Sequence, residues 1–201
     1  MLFRSSLFTK VHLSSVDLLE VALNPDFSQI ESDDIQNDIN AVNALYFKER
    51  RPFFTEGSEI FNTQGAERGY INLFYSRTIN DPSTAVKFTG KRGATSYGII
   101  AAQDENSPVL LPFEEFSSVV NMKKSNSIII RTKRLDTNGG SLGTFFSSRS
   151  FDGEDSHMQT FGVDYHKHPG NNLHFTIHAV GTVHQEPDNF ETKFDDNPYS
   201  F

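Results

Sequence analysis

Between Gln159 and His184 apolar and polar side chains alternate with a period of two, and few folds accept that pattern over such a length. Phe161, Val163 and Tyr165 alternate with Gly162, Asp164 and His166. Beyond Pro169-Gly170-Asn171-Asn172, the residues Leu173, Phe175, Ile177, Ala179 and Val183 alternate with His174, Thr176, His178, Thr182 and His184. Successive side chains on a strand point to opposite faces. The stretch therefore predicts a long hairpin with one apolar, aromatic face and one polar, partly ionisable face.

The same reading extends upstream. Residues 126–135 and 141–150 predict a second hairpin about Thr137-Asn138-Gly139-Gly140, where Asn-Gly suits the positive φ of a tight turn. Residues 85–92 and 95–103 predict another about Arg92-Gly93-Ala94, and residues 71–77 a strand before it. Val16 to Leu23 reads as a strand stopped by Asn24-Pro25, with residues 27–31 as a short partner. Residues 33–48 have the other period. Ile35, Ile39, Val42 and Tyr46 share a helical face, Ser32, Asp33 and Asp34 suit its start, and Pro52 marks its stop. This is the one helix the sequence predicts.

These strands are longer than the usual mode of about 5–6 residues and match the roughly 9–11 that cross a bilayer when tilted. Short turns alternate with the longer connections 104–125 and 151–158 and with the tail after Gln185. Short turns on one rim and long loops on the other characterise outer-membrane barrels. A soluble lipocalin-like barrel or carbohydrate-binding sheet shares part of the pattern.

Composition sharpens this. Hydrophobic residues make up 36% of the chain and Phe alone contributes 19, so the apolar content is aromatic rather than aliphatic. A formal charge of −8 with no basic block argues against a nucleic-acid partner. Zero Cys removes disulfides, thiolate metal sites and Cys nucleophiles. Met1 to Leu19 holds Arg4, Lys10, His12 and Asp17 and no apolar run of signal-peptide length. That predicts either a cytoplasmic protein or a chain that begins inside a longer one.

Two stretches carry a family resemblance. One runs through Asn24, Pro25, Asp26, Phe27, Glu31 and Asp33. The other contains Glu49, Arg51, Pro52, Phe53, Phe54, Glu56 and Gly57 and is followed by Tyr75, Ser76 and Arg77. Together they resemble the uncharacterised β-barrel domain that follows a family 9 carbohydrate-binding-like module in large bacterial envelope proteins. Lys87 to Lys91, Ser96 to Gly98, Arg131 to Gly143 and Gly162 to Asp164 fit as well. The resemblance covers roughly residues 18–184; residues 1–17 depart from it. It implies a mainly β fold: a partial outer-membrane-type barrel, an antiparallel up-and-down meander with one short helix near residues 33–48. An atypical segment 1–17 would precede an incomplete barrel domain 18–201. It also implies an outer-membrane location, lipid as partner of the full-length protein, a glycan ligand through a module outside this chain, and no assigned function. A hydrolase label carried by some members has no residue here to support it.

Three side-chain groups are candidates for chemistry. Five histidines, His166, His168, His174, His178 and His184, fall on the polar face of the last hairpin. Opposed imidazoles from His166 or His168 and His174, with Asp164, have zinc-ligand chemistry; a polar face that happens to use His is the plainer reading. Lys48, Glu49, Arg50, Arg51, Glu56 and Glu59 offer paired carboxylates for glycoside chemistry, but acids alternating with bases fit an ion-pair network better. Arg131, Lys133 and Arg149 share parity and would form a positive stripe suited to anions. There is no G-x-S-x-G, H-E-x-x-H, P-loop or G-x-G-x-x-G. The residues imply no cofactor and no catalytic group.

Overall fold

The computed structural model describes residues 6–25, 49–63, 72–105, 107–112, 117–122, 124–153, 155–170 and 173–185. The strands are β1 (Leu7–His12), β2 (Asp17–Leu23), β3 (Pro82–Arg92), β4 (Thr95–Asp104), β5 (Ser107–Pro112), β6 (Ser117–Met122), β7 (Ser125–Leu135), β8 (Ser141–Phe151), β9 (His157–Gly170) and β10 (Leu173–Gln185). Eight of them form one antiparallel meander in the order β1-β2-β3-β4-β7-β8-β9-β10, while β5 and β6 pair with each other. The sheet is open, with β1 and β10 at its edges.

The three long hairpins read from alternation are present, and in two of them a turn glycine takes a positive φ. Gly93 has φ 58° and Gly139 φ 75°, both in the left-handed region that favours glycine. The strand ends joined within the β1–β2, β3–β4, β7–β8 and β9–β10 hairpins lie at one rim; the ends Leu23, Pro82, Asp104, Ser125, Phe151 and His157, from which the longer connections depart, lie at the other. The 105–124 connection contains the β5–β6 hairpin.

One expectation needs correction. Residues 72–75 join no ladder, and Ser76–Thr78 is a 3-10 turn, so no strand runs to Arg77. The Leu73 amide instead bonds the Thr63 hydroxyl at 2.9 Å, and Leu73 and Phe74 pack on the core. Residues 49–51 are non-helical, and Pro52 begins a new element. It opens the four-residue helix α1 (Pro52–Thr55), because its fixed φ and missing amide suit the first helical turn. Residues 33–48 are thus not the only helical candidates. That helix and the short strand 27–31 lie outside the described residues.

Register assigns each strand residue to a face. One face carries the row Ala22, Ala85, Ala102, Ser127, then Glu20, Lys87, Ile100, Ile129, then Leu18, Thr89, Gly98, Arg131, Phe145, Gly162. Residues from 49–63 and 72–81 cover it. Phe53, Phe54, Phe61 and Ile79 form one buried cluster with Ala22, Ala85, Ile100, Ala102, Ile129 and Phe145. Small residues make room for this layer. A Cβ on Gly98 would meet Phe61 Cζ at 2.6 Å, and one on Gly162 would collide with Leu73.

The other face has no second layer among the described residues. Its central row is Leu19, Phe88, Ile99, Ile130, Phe146, Phe161, Gly181, and its neighbour Val21, Val86, Ala101, Ile128. Phe161, Val163, Phe175 and Ile177 are each about half exposed (49, 47, 50 and 50%).

Candidate functional site

Ionisable side chains are concentrated where the sheet is covered, and they arrive there by strand parity. Glu20 of β2 lies directly opposite Lys87 of β3, and their charged ends meet at 2.6 Å with both side chains 1% exposed. Lys10 of β1 faces Glu20 from the other side at 3.4 Å and also pairs with Glu56. The Lys87 ammonium donates to the carbonyls of Phe53 at 2.5 Å and Glu56 at 2.6 Å, and stands 5.1 Å from the Phe53 ring centre. Those carbonyls close the C-terminal turn of α1, where a cation is favoured. One buried lysine therefore joins sheet and covering layer.

Arg51 does the same within the layer. It is fully buried and grips Glu49 with two nitrogens, at 2.9 and 2.7 Å. Its remaining donors reach the carbonyls of Ile79 at 2.6 Å and Ser76 at 3.1 Å, and its guanidinium lies 4.3 Å over the Phe54 ring. The Ser76 hydroxyl donates to Glu49 at 2.5 Å. Burial pushes the Glu49 carboxyl up, but the hydrogen bonds and charge of Arg51, with Ser76, hold it below its ordinary value. The motif residues Glu49, Arg51, Phe53, Phe54 and Ser76 thus form one structural knot. Gly57 (φ 62°) turns the chain out of α1. Asn24 (φ 43°) ends β2, its amide bonded to the Ser83 carbonyl at 2.8 Å, and Pro25 is buried. Asp26, Phe27, Glu31 and Asp33 lie outside the described residues.

A second buried pair crosses the sheet. Arg131 of β7 and Asp164 of β9 are separated by β8, where Gly143 stands opposite Asp164. Without a side chain at Gly143 the guanidinium lies across that strand and binds both carboxylate oxygens, one at 2.9 Å. His166 Nε2 stands 3.4 Å from the same carboxylate, and its Nδ1 is 3.2 Å from the Thr176 hydroxyl. At the rim of the long connections, Asp104 accepts the amides of Asn80 and Asp81 at 2.8 and 2.6 Å, and Arg149 approaches it at 3.8 Å.

The arrangement separates the zinc-ligand candidates. His168 and His174 do face each other, with ring centres 4.4 Å apart at the exposed turn end. Asp164 is held by Arg131 and joins His166 and His178, whose rings are 5.4 Å apart. Among the described residues no three His, Asp or Glu side chains form a metal-holding group. The positive stripe is also changed in character, because Arg131 and Arg149 each face an aspartate. Its geometry suits internal neutralisation rather than anion selection.

Glu20 and Asp104 were not singled out by sequence, and Lys87 and Gly143 entered only as ends of stretches that fit the resemblance, with no partner assigned. Their signal was present in Lys87 and Glu20, charged residues inside otherwise apolar strands, but only register pairs them.

Residues 15–103 match the model of a domain of unknown function (DUF5916). The match takes in β2, α1, β3 and almost all of β4, and with them the Glu20–Lys87 and Arg51–Glu49 pairs. It stops before β7 to β10. No curated protein and no solved structure matches the chain.

Proposed function

We propose that this chain is a non-enzymatic part of the wall of an outer-membrane-type β-barrel, with its outward face against lipid. One observation carries the reading. The sheet buries Glu20, Lys87, Arg131 and Asp164 on one face while leaving Phe161, Val163, Phe175 and Ile177 about half exposed on the other. A soluble sheet places these classes the other way round. The rims agree, since short turns share one and long connections the other. On β10 the outward set runs from Leu173 through Phe175, Ile177 and Ala179 to Val183. Ten residue steps give about 34 Å along the strand, or about 24 Å across a bilayer at 45° tilt, against an apolar band of about 25 Å.

The wall is larger than these eight strands. A closed eight-stranded barrel has room for its side chains or one small ligand, whereas here residues 49–63 and 72–81 cover the inward face. A link to carbohydrate binding or uptake has the resemblance described above as its support. A soluble glycan-binding sheet would leave aromatics open on the polar face; Phe53, Phe54, Phe61 and Phe145 are instead packed into the core.

The absence of Cys makes the test direct. Single variants Phe161→Cys to Asp164→Cys and Phe175→Cys to His178→Cys, labelled with one fluorophore, are placed in vesicles containing quencher lipids. Quenching should alternate, strong at 161, 163, 175 and 177 and weak between them. Equal quenching at both parities, or none at any site, overturns the reading.

A further inference from the structure

The two borders of the outward apolar band differ in charge. Toward the short turns the bordering row is Arg92, Thr95, Arg134, Leu142, Tyr165, Ile177, which has two arginines and no acid. Arg92 is 77% exposed in its side chain, and Arg134 is exposed. Two carboxylates adjoin this row and both are engaged: Asp17 accepts from Tyr97 across Gly90 and faces Arg92 at 3.6 Å, and Asp136 pairs with Lys167 at 3.3 Å. Toward the long connections the corresponding row is Leu23, Thr84, Gln103, Asn126, Ser150, His157, Gln185, with no Lys, Arg, Asp or Glu. In a chain of net charge −8, only the short-turn row of these two carries cations; at the opposite rim Lys124 pairs with Glu105 at 2.6 Å.

We propose that the short-turn border, through Arg92 and Arg134 with Thr95 and Tyr97, is a docking surface for the phosphate groups of anionic phospholipids in the adjoining leaflet. This rests on the wall reading. Arg92 and Arg134 flank Thr95 on adjacent strands, so about two strand spacings, roughly 10 Å, separate their backbones. Planar, weakly hydrated guanidinium groups bind phosphate oxygens in pairs. Tyr97 lies over Gly90, its ring among apolar neighbours and its hydroxyl in the Asp17–Arg92 network. A ring with one wet end belongs at the headgroup level. The opposite border offers amides and hydroxyls, so the surface also sets which rim meets the anionic leaflet.

The experiment uses the whole chain with a fluorophore at Phe161→Cys and measures partition onto phosphatidylcholine vesicles with and without phosphatidylglycerol, over a range of salt. A cation at an anionic surface contributes about fivefold in affinity. Arg92→Gln with Arg134→Gln should therefore weaken binding to phosphatidylglycerol vesicles about 25-fold, leave binding to neutral vesicles unchanged, and flatten the salt dependence. Lys124→Gln, an exposed cation at the opposite rim, is the control and should change binding less than twofold. Equal partition of the double variant and the parent onto anionic vesicles overturns the headgroup surface while leaving the wall reading intact, as does an equal loss in Lys124→Gln. Failure of the parent to enter either vesicle overturns both.

Discussion

Gly143→Ala should be among the most costly single-methyl additions in the sheet, because the methyl enters the space that Arg131 uses to reach Asp164. A Cβ at this position would meet Arg131 Nη2 at 2.5 Å and Asp164 Oδ1 at 2.6 Å, far inside ordinary contact. Arg131 and Asp164 are 1% and 4% exposed in their side chains, so neither end escapes to water. Lengthening their 2.9 Å contact by about 1 Å costs about 1.5 kcal/mol at an effective dielectric near 20. Losing one charged hydrogen bond adds about 1.5–3 kcal/mol. The expected destabilisation is about 3–4.5 kcal/mol, and Asp164→Ala should cost about 3–5 kcal/mol by stranding a buried guanidinium. Both are measured by denaturant unfolding in detergent micelles that cover the outward face. The two changes act on one pair, so Gly143→Ala in the Asp164→Ala background should cost under about 1 kcal/mol. Full additivity, or an unshifted midpoint in Gly143→Ala, would refute the idea that this glycine exists to let the pair form.

Gly98→Ala should lower stability by about 1–3 kcal/mol through overpacking against Phe61, while Gly93→Ala, with open space around its Cβ but φ 58°, should act through backbone strain alone; paired unfolding curves separate them. Glu49 has a native acidity stronger than its unfolded value, so its contribution is fully present above about pH 4.3 and fades as pH falls through the lower folded value. Glu49→Gln should therefore flatten the acid limb of a stability–pH curve and leave its neutral limb parallel. Because Arg131 occupies Asp164, calorimetric titration with zinc should show no saturable site; a tight isotherm that vanishes in His174→Ala would reverse that assignment.

The chain's long hairpins are legible in its sequence because each strand keeps two chemically distinct faces. Phe161, Val163 and Tyr165 against Gly162, Asp164 and His166 leave one register open. β1 is silent for the opposite reason. Leu7, Thr9 and Val11 alternate with Phe8, Lys10 and His12, so both faces mix apolar and polar groups and the period has no contrast. Residues 72–75 mislead because Leu73, Phe74 and Tyr75 have strand-like chemistry, yet packing of Leu73 and Phe74 on the core decides their conformation. The charged pairs needed register as well as composition. Lys87 meets Glu20 only because Phe88 stands opposite Leu19, and Arg131 meets Asp164 only across a residue with no side chain.

The covering layer explains why so many ions are tolerated inside. An ion buried alone costs several kcal/mol, and an ion pair recovers that cost only when the remaining hydrogen-bonding capacity is met. Lys87 has three strong donors, and Glu20, the Phe53 carbonyl and the Glu56 carbonyl take them. Arg51 spends its fork on Glu49 and on the Ile79 and Ser76 carbonyls. Lys87 is satisfied by neither the sheet alone nor the layer alone, so it holds residues 49–63 at one position on the sheet, while Arg51 ties that segment to residues 72–81 within the layer. Apolar contacts between Phe53, Phe61 and the sheet would tolerate sliding; directed donors do not. The covered face of this sheet is therefore the mould that fixes residues 49–63 and 72–81: the apolar cluster supplies cohesion, and the charged pairs set the position.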